Sequence, residues 1–177
     1  MKKILAFGAS NSKNSINKRF AKYVAESVSN TDFNLLDLND FEMPLYGIDE
    51  ENTNGIPEKA HEFRKLIEEA DGIVISFAEH NGSFSVAYKN IYDWASRAGG
   101  NVWQEKPLLL VSTSPGGRGG AGVLAHAYGN YAHGNKNTVK GIALPSFHDN
   151  FADENGIIDS ELKKELEIKL KEFENLI

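Results

Sequence analysis

Cysteine is absent from the sequence. That absence removes disulfides, thiolate metal sites and cysteine nucleophiles together. Basic runs are also missing: 19 Lys and Arg stand against 25 Asp and Glu, a formal net charge of −6. An acidic chain of this kind repels a phosphate backbone, so nucleic acid is not an expected partner. No apolar stretch approaches the roughly 20 residues of a membrane-spanning helix, so no membrane partner is expected. Met1-Lys2-Lys3 leads into an apolar strand too short for a signal-peptide core, and the cytoplasm is the expected compartment. Histidine is sparse, at 5 residues, and no pair has the spacing of a helical zinc face.

What remains is an ordinary globular balance. With 177 residues, 41% hydrophobic and 25% charged, the chain is long enough for one domain, 1–177, with a full core. Short apolar runs alternate with longer amphipathic ones. Ile4 to Phe7, Phe33 to Leu38, Gly72 to Phe77, Pro107 to Thr113 and Thr138 to Leu144 read as strands. Between them, Ile16, Phe20, Val24 and Val28 share one helical face behind Ser15, a good N-cap. Pro57 suits the first turn of a helix burying Ala60, Phe63, Ile67 and Ala70. Further helices place Ala87, Ile91, Trp94 and Ala98 on one stripe, then Leu124, Ala127 and Tyr131 on a weaker one. The last begins near Asp159 or Ser160 and buries Leu162, Leu166, Leu170 and Phe173.

Strands apolar on both faces, separated by amphipathic helices, predict a parallel sheet covered on both sides. The expected architecture is an α/β three-layer sandwich of flavodoxin-like type. Its five-stranded parallel sheet takes the order 2-1-3-4-5, with helices on both faces. Ligands in such sheets bind beyond the carboxyl ends of the strands where strand order reverses. Three loops therefore matter: Ser10 to Asn17, Ala78 to Ser83, and Ser112 to Gly120.

The first loop, rich in Ser and Asn, opens onto a helix whose free N–H groups suit a phosphate. Three serines, the Asn17 amide and the charge of Lys13 add donors there; a plain capped turn is the other reading. The loop lacks the Gly-Lys-Ser/Thr ending of a triphosphate P-loop and the acidic residues of a magnesium-binding receiver. Gly117, Gly119 and Gly122 form a literal G-x-G-x-x-G. No acidic residue follows at the ribose-binding distance, so the run reads as backbone that approaches a flat ligand. None of the loops carries the acid–base pair of hydrolytic chemistry; taken singly, Glu79 and His80 read as a general acid or base or as solvated rim residues, and for either alone the rim is favoured. Tyr88 and Tyr92, off the apolar stripe, read as a partner surface or a helix aromatic pair, the former favoured by interface chemistry. The connections Asn39 to Ile56 and Pro145 to Ile158 are long enough for lids. Their Tyr46, Phe147, His148 and Phe151 cover a ligand, touch a partner subunit or pack the sheet edge. No Gly-x-Ser-x-Gly elbow supports a hydrolase.

Taken together, these segments resemble the NAD(P)H-dependent FMN reductases. The first loop with Ser15-Ile16-Asn17 is similar to that family's Gly-Ser-x-Arg-x-x-Ser-x-Asn phosphate loop. Ala78-Glu79-His80-Asn81-Gly82-Ser83, followed by Lys89-Asn90 and Asp93-Trp94, is similar to its Pro-Glu-Tyr-Asn segment and Lys-Asn-x-x-Asp-Trp helix. Ser114-Pro115-Gly116-Gly117 resembles its third flavin loop. The resemblance implies FMN as cofactor, with Ser10, Ser12, Ser15, Ile16 and Asn17 at its phosphate. Glu79, His80, Asn81 and Gly82 would lie along the isoalloxazine, and Ser114, Pro115, Gly116 and Gly117 would close the other side. No catalytic side chain or metal is implied, because the cofactor carries the hydride chemistry.

NADPH or NADH would be the electron donor, and a flavin, quinone, azo dye or similar small molecule the acceptor. The resemblance further implies a homodimer or homotetramer. An electron-carrier module without nicotinamide turnover is the alternative. Ser12 stands where the family carries Arg, which leaves Lys13 to supply a phosphate charge. Ala78, His80 and Ser85-Val86 replace the family's Pro, Tyr and Pro-Gly. No basic cluster marks a 2′-phosphate site, so the sequence does not separate NADPH from NADH.

Overall fold

A computed structural model describes all residues 1–177. In chain order the elements are β1 (Lys2–Ala9), α1 (Ile16–Glu26), β2 (Thr31–Leu36), a 3-10 turn (Leu38–Phe41), α2 (Ile48–Asn54) and α3 (Glu58–Glu69). They continue as β3 (Gly72–Phe77), α4 (Val86–Arg97), β4 (Leu108–Thr113), α5 (Ala121–Gly134) and β5 (Thr138–Leu144). A single turn α6 (Phe147–Asn150), the hairpin β6 (Phe151–Ala152) and β7 (Gly156–Ile157), and α7 (Ser160–Glu174) complete the chain.

The main sheet has the order β2-β1-β3-β4-β5, and its four pairings are all parallel. The expected strand order is therefore present. Alternation within strands explains why both faces are apolar. Leu5, Phe7, Ile73, Ile75, Leu108 and Leu110 enter the core beneath α3, α4 and α5. Ile4, Ala6, Val74, Leu109 and Val111 enter the second core, with Phe20 and Val24 of α1 and Leu166, Leu170 and Phe173 of α7. Burying each of these side chains other than Ala6 is worth about 1.5–3 kcal/mol.

Caps define the helix starts. Ser15 Oγ accepts from Lys18 N–H at 3.1 Å, as predicted for α1. Ser85 caps α4 and Asp159 caps α7 in the same way. Gly8 permits a close approach of backbone to backbone: a Cβ there would lie 2.3 Å from Lys18 N. A side chain would thus push α1 off the carboxyl end of β1, where the cleft forms.

Four expectations change. The second strand is Thr31–Leu36, two residues earlier than the apolar run suggests, and Leu38 is buried in the 3-10 turn instead. The Asn39–Ile56 connection contains α2, clamped to α4 by Arg97, whose Nε lies 2.9 Å from Glu51 Oε2. The Pro145–Ile158 connection is no lid: Phe147 and Phe151 are buried, stacked at 4.7 Å, and covered by the Arg19 guanidinium 5.0 Å from the Phe147 ring. Tyr88 and Tyr92 do not form an exposed surface; Tyr88 is buried and Tyr92 packs partly buried against the same core. No helix is long and apolar enough to cross a membrane.

Candidate functional site

The carboxyl ends of β1, β3 and β4 open into a cavity of about 290 Å³. From the first loop it is lined by Ser10, Ser12, Asn14, Ser15, Ile16 and Asn17. From β3 come Ala78, Glu79 and His80, and from β4 come Thr113, Ser114 and Pro115. All three predicted loops thus meet at one place. Asn81, Gly82, Gly116 and Gly117 belong to the same loops but do not line this cavity. Ala78, the replacement for the family's Pro, lines it too, and Asn14 and Thr113 do so without having been singled out. Their signal was position, at a strand end or inside the serine loop.

The first loop is braced by its own atoms. Ser10 N–H donates to Gly8 O at 2.8 Å, Ser12 N–H to Ser10 Oγ at 3.2 Å, and Ser15 N–H to Ser12 O at 3.1 Å. Ile16 and Asn17 then begin α1, and first-turn N–H groups have no intrahelical acceptor. Together with three serine hydroxyls, those groups make a neutral donor set at a positive helix end, the chemistry a phosphate dianion requires.

Asn17 departs from expectation. Its side chain is turned into the protein, where Oδ1 accepts from Ser76 Oγ at 2.7 Å and Thr113 N–H at 3.1 Å. Its Nδ2 donates to Thr113 O at 3.1 Å. The amide therefore ties α1 to β3 and β4 rather than presenting itself as a phosphate donor. Lys13 is likewise absent from this cavity and lines a neighbouring one instead. No Lys or Arg therefore joins the serines here.

The β3 loop closes as a two-residue hairpin. His80 N–H donates to Ser83 O at 2.9 Å and Ser83 N–H returns to His80 O at 3.0 Å. Asn81 and Gly82 sit between them at φ 52° and 77°, the positive values a type I′ turn demands and the Asn-Gly pair favours. Glu79 Oε2 accepts from Val123 N–H at 3.3 Å, in the first turn of α5. Gly122 leaves the space that carboxylate needs, since a Cβ there would lie 3.1 Å from Oε1. Glu79 and His80 share no hydrogen bond. Gly119 lies at φ 58°, and a Cβ would meet Leu144 O at 2.6 Å, so this glycine packs the β4 loop onto the end of β5. Gly117 has open space where a side chain would stand.

A larger cavity of about 620 Å³ adjoins the first through His80, which lines both. Its walls are mixed, with Phe41, Met43, Pro44 and Leu45 on one side, Val86 and Ile91 of α4 on the other, and Asn11, Glu42, His80 and Asn90 among them. The Lys-Asn…Asp-Trp segment builds this wall. Asn90 Oδ1 accepts from Tyr46 N–H at 2.8 Å and Trp94 Nε1 donates to Pro44 O at 2.7 Å. Lys89 and Asp93 pair with each other at 2.6 Å. No group of three or more potential metal ligands is present.

A family model described as NADPH-dependent FMN reductase matches residues 2–149. The chain belongs to this family. Among curated members of similar sequence, a 2-hydroxy-1,4-benzoquinone reductase of a Burkholderia species is 36% identical over 123 residues, 68% of this chain and 65% of that protein. A quinone reductase of Pseudomonas putida is 35% identical over 112 residues, 62% of this chain and 59% of that protein. The matched part of the chain thus spans less than two thirds of these relatives. Among solved structures, the flavoenzyme NAD(P)H:(acceptor) oxidoreductase FerB from Paracoccus denitrificans superposes with a TM-score of 0.79. The two share 26% identity over 99% of this chain and 97% of that one. In this FMN reductase member, the serine loop carries Ser12 in the cavity wall.

Proposed function

We propose that this chain is an FMN-dependent oxidoreductase that takes reducing equivalents from NADPH or NADH and passes them to a small-molecule acceptor. The convergence of three loops on one cavity at the β1/β3 switch point carries this reading. Bound FMN would supply the hydride chemistry, and no side-chain acid or base is needed for it. Ser10, Ser12, Ser15 and the first-turn N–H groups of Ile16 and Asn17 hold the phosphate. Glu79, His80, Asn81 and Gly82 flank one side of the ring system, and Ser114, Pro115, Gly116 and Gly117 the other. Several of these positions act through backbone, since Asn17 and Glu79 already use their side chains internally.

The adjoining cavity suits a flat acceptor, a quinone, flavin or azo compound, and the names of the relatives support a quinone. Leu45 and Val86, 73% and 69% exposed at its mouth, support closure of that cavity by a second copy in a homodimer or homotetramer. The cytoplasm remains the proposed compartment. The alternative is an FMN-binding electron carrier; it is favoured by Ser85-Val86, where the family has Pro-Gly and this chain exposes a valine.

Anaerobic absorbance spectra test the proposal. Protein supplied with FMN should show flavin bands that bleach on adding NADPH or NADH and return with a quinone. Bands that persist with both nucleotides would leave the carrier, and no flavin binding at all would reject both.

A further inference from the structure

Behind the serine loop, the outer face of α1 forms a separate cavity of about 450 Å³. Lys13, Lys18, Arg19 and Lys22 line it, and Leu35 of β2 is its single apolar residue. Asn14 and Ser15 line both this cavity and the cofactor cavity, so the two are contiguous. Folding has therefore built a basic cluster on a chain of net charge −6, correcting the expectation that none exists.

The four cations are not equally available. Lys18 Nζ lies 2.6 Å from Asp37 and Arg19 Nη2 2.7 Å from Asp153, which fixes both heads in place. Lys22 Nζ pairs with Glu26 at 3.5 Å, and Lys13 has no carboxylate within ion-pair distance. The positive end of α1 adds to the same field. Lys13, three cations held beside carboxylates and the Asn14 amide offer charge-assisted and neutral donors of the kind a phosphate monoester dianion takes. A polyanion fits poorly, because the rest of the surface repels it.

We propose that this cavity holds the adenosine 2′-phosphate of NADPH, with Lys13 and Lys22 as the residues that select NADPH over NADH. Leu35 offers the adenosine an apolar surface, and the shared edge at Asn14 and Ser15 leads toward the cofactor cavity. The inference rests on the proposal that the chain oxidises a nicotinamide. The same phosphate chemistry occurs in FMN itself, so the test must separate the two sources.

Calorimetric titration of the FMN-supplied protein with adenosine 2′,5′-bisphosphate and with adenosine 5′-monophosphate does so. The bisphosphate should bind about tenfold more tightly, and the difference should shrink as salt rises. Lys13→Gln with Lys22→Gln should abolish the difference, and Lys13→Arg with Lys22→Arg should keep it. In turnover the glutamine variant should raise KM for NADPH about tenfold and leave KM for NADH, kcat and FMN affinity unchanged. Equal binding of the two nucleotides to the unmodified protein would overturn the assignment. So would a glutamine variant that loses FMN but not riboflavin, which would give the cavity to the phosphate of FMN. If the bisphosphate binds with this lysine dependence while neither nicotinamide bleaches the flavin, the site stands and the oxidoreductase reading fails.

Discussion

At the scale of single residues, Asn17 shows how a motif position acts from behind. Its amide occupies a buried point where α1, β3 and β4 meet, and it makes three hydrogen bonds there. Asn17→Ala would strand the Ser76 hydroxyl and the Thr113 N–H and C=O without partners. A buried unsatisfied group costs about 1–3 kcal/mol, so the variant should lose roughly 2–4 kcal/mol of stability. Urea unfolding measures this as a fall in midpoint. Because the residue positions all three loops, FMN and riboflavin should weaken together. A loss confined to FMN would mean the amide contacts the phosphate after all. Gly8 works by similar logic, since its missing side chain lets β1 touch the backbone of α1.

Among the elements, the α4–α5 contact rests on a buried tyrosine pair. The hydroxyls of Tyr88 and Tyr131 bond to each other, and burial raises both well above the usual tyrosine pKa. Phe77 and Phe84 surround Tyr88 at ring distances of 5.4 and 5.2 Å, so neither hydroxyl has water to turn to. Tyr131→Phe should therefore cost about 1–3 kcal/mol by orphaning the Tyr88 hydroxyl. Adding Tyr88→Phe should restore most of it, and a double-mutant cycle in urea would report the coupling. Strict additivity of the two losses would refute the pairing. The apolar stripe of α4 is broad, taking in Tyr88, Ile91 and Ala95 as well as Trp94, which is why reading the outer tyrosines as surface failed.

For the molecule as a whole, carboxylates tie the sheet edge and the peripheral helices to the core. The Lys18 ammonium and the Asn39 N–H hold the Asp37 carboxyl below the usual aspartate range, linking the end of β2 to α1. The Lys3 N–H does the same for Asp71, and Arg97 for Glu51 on α2. Each is depressed in the folded state, so its contribution is complete above the unfolded value near 4 and is lost as pH falls through the folded one. The Tm should stay nearly flat from about pH 7 to 5 and drop most steeply below about 4. Asp37→Asn should lower the neutral Tm and flatten part of the acid slope. A slope identical to that of the unmodified protein would exclude Asp37 from the transition. Exposure of these pairs makes the effect sensitive to salt.

Local pattern alone determined the five βα units, the strand order through its topology rules, the Ser15 cap and the three loops that share the cleft. These depend on which residues alternate or recur every turn, and that information lies within a few neighbours. Tertiary structure decided the rest. The partners of Asn17 lie 59 and 96 residues away, so no window of sequence indicates which way its amide turns. Phe147 and Phe151 became core rather than lid because Arg19 and Phe20 of α1 happen to face them. The basic cavity behind the serine loop exists because α1 and β2 place Lys13, Lys18, Lys22 and Leu35 around one hollow. Periodicity tells which face of an element is buried; which distant polar atoms meet on the two sides of that face is settled by packing.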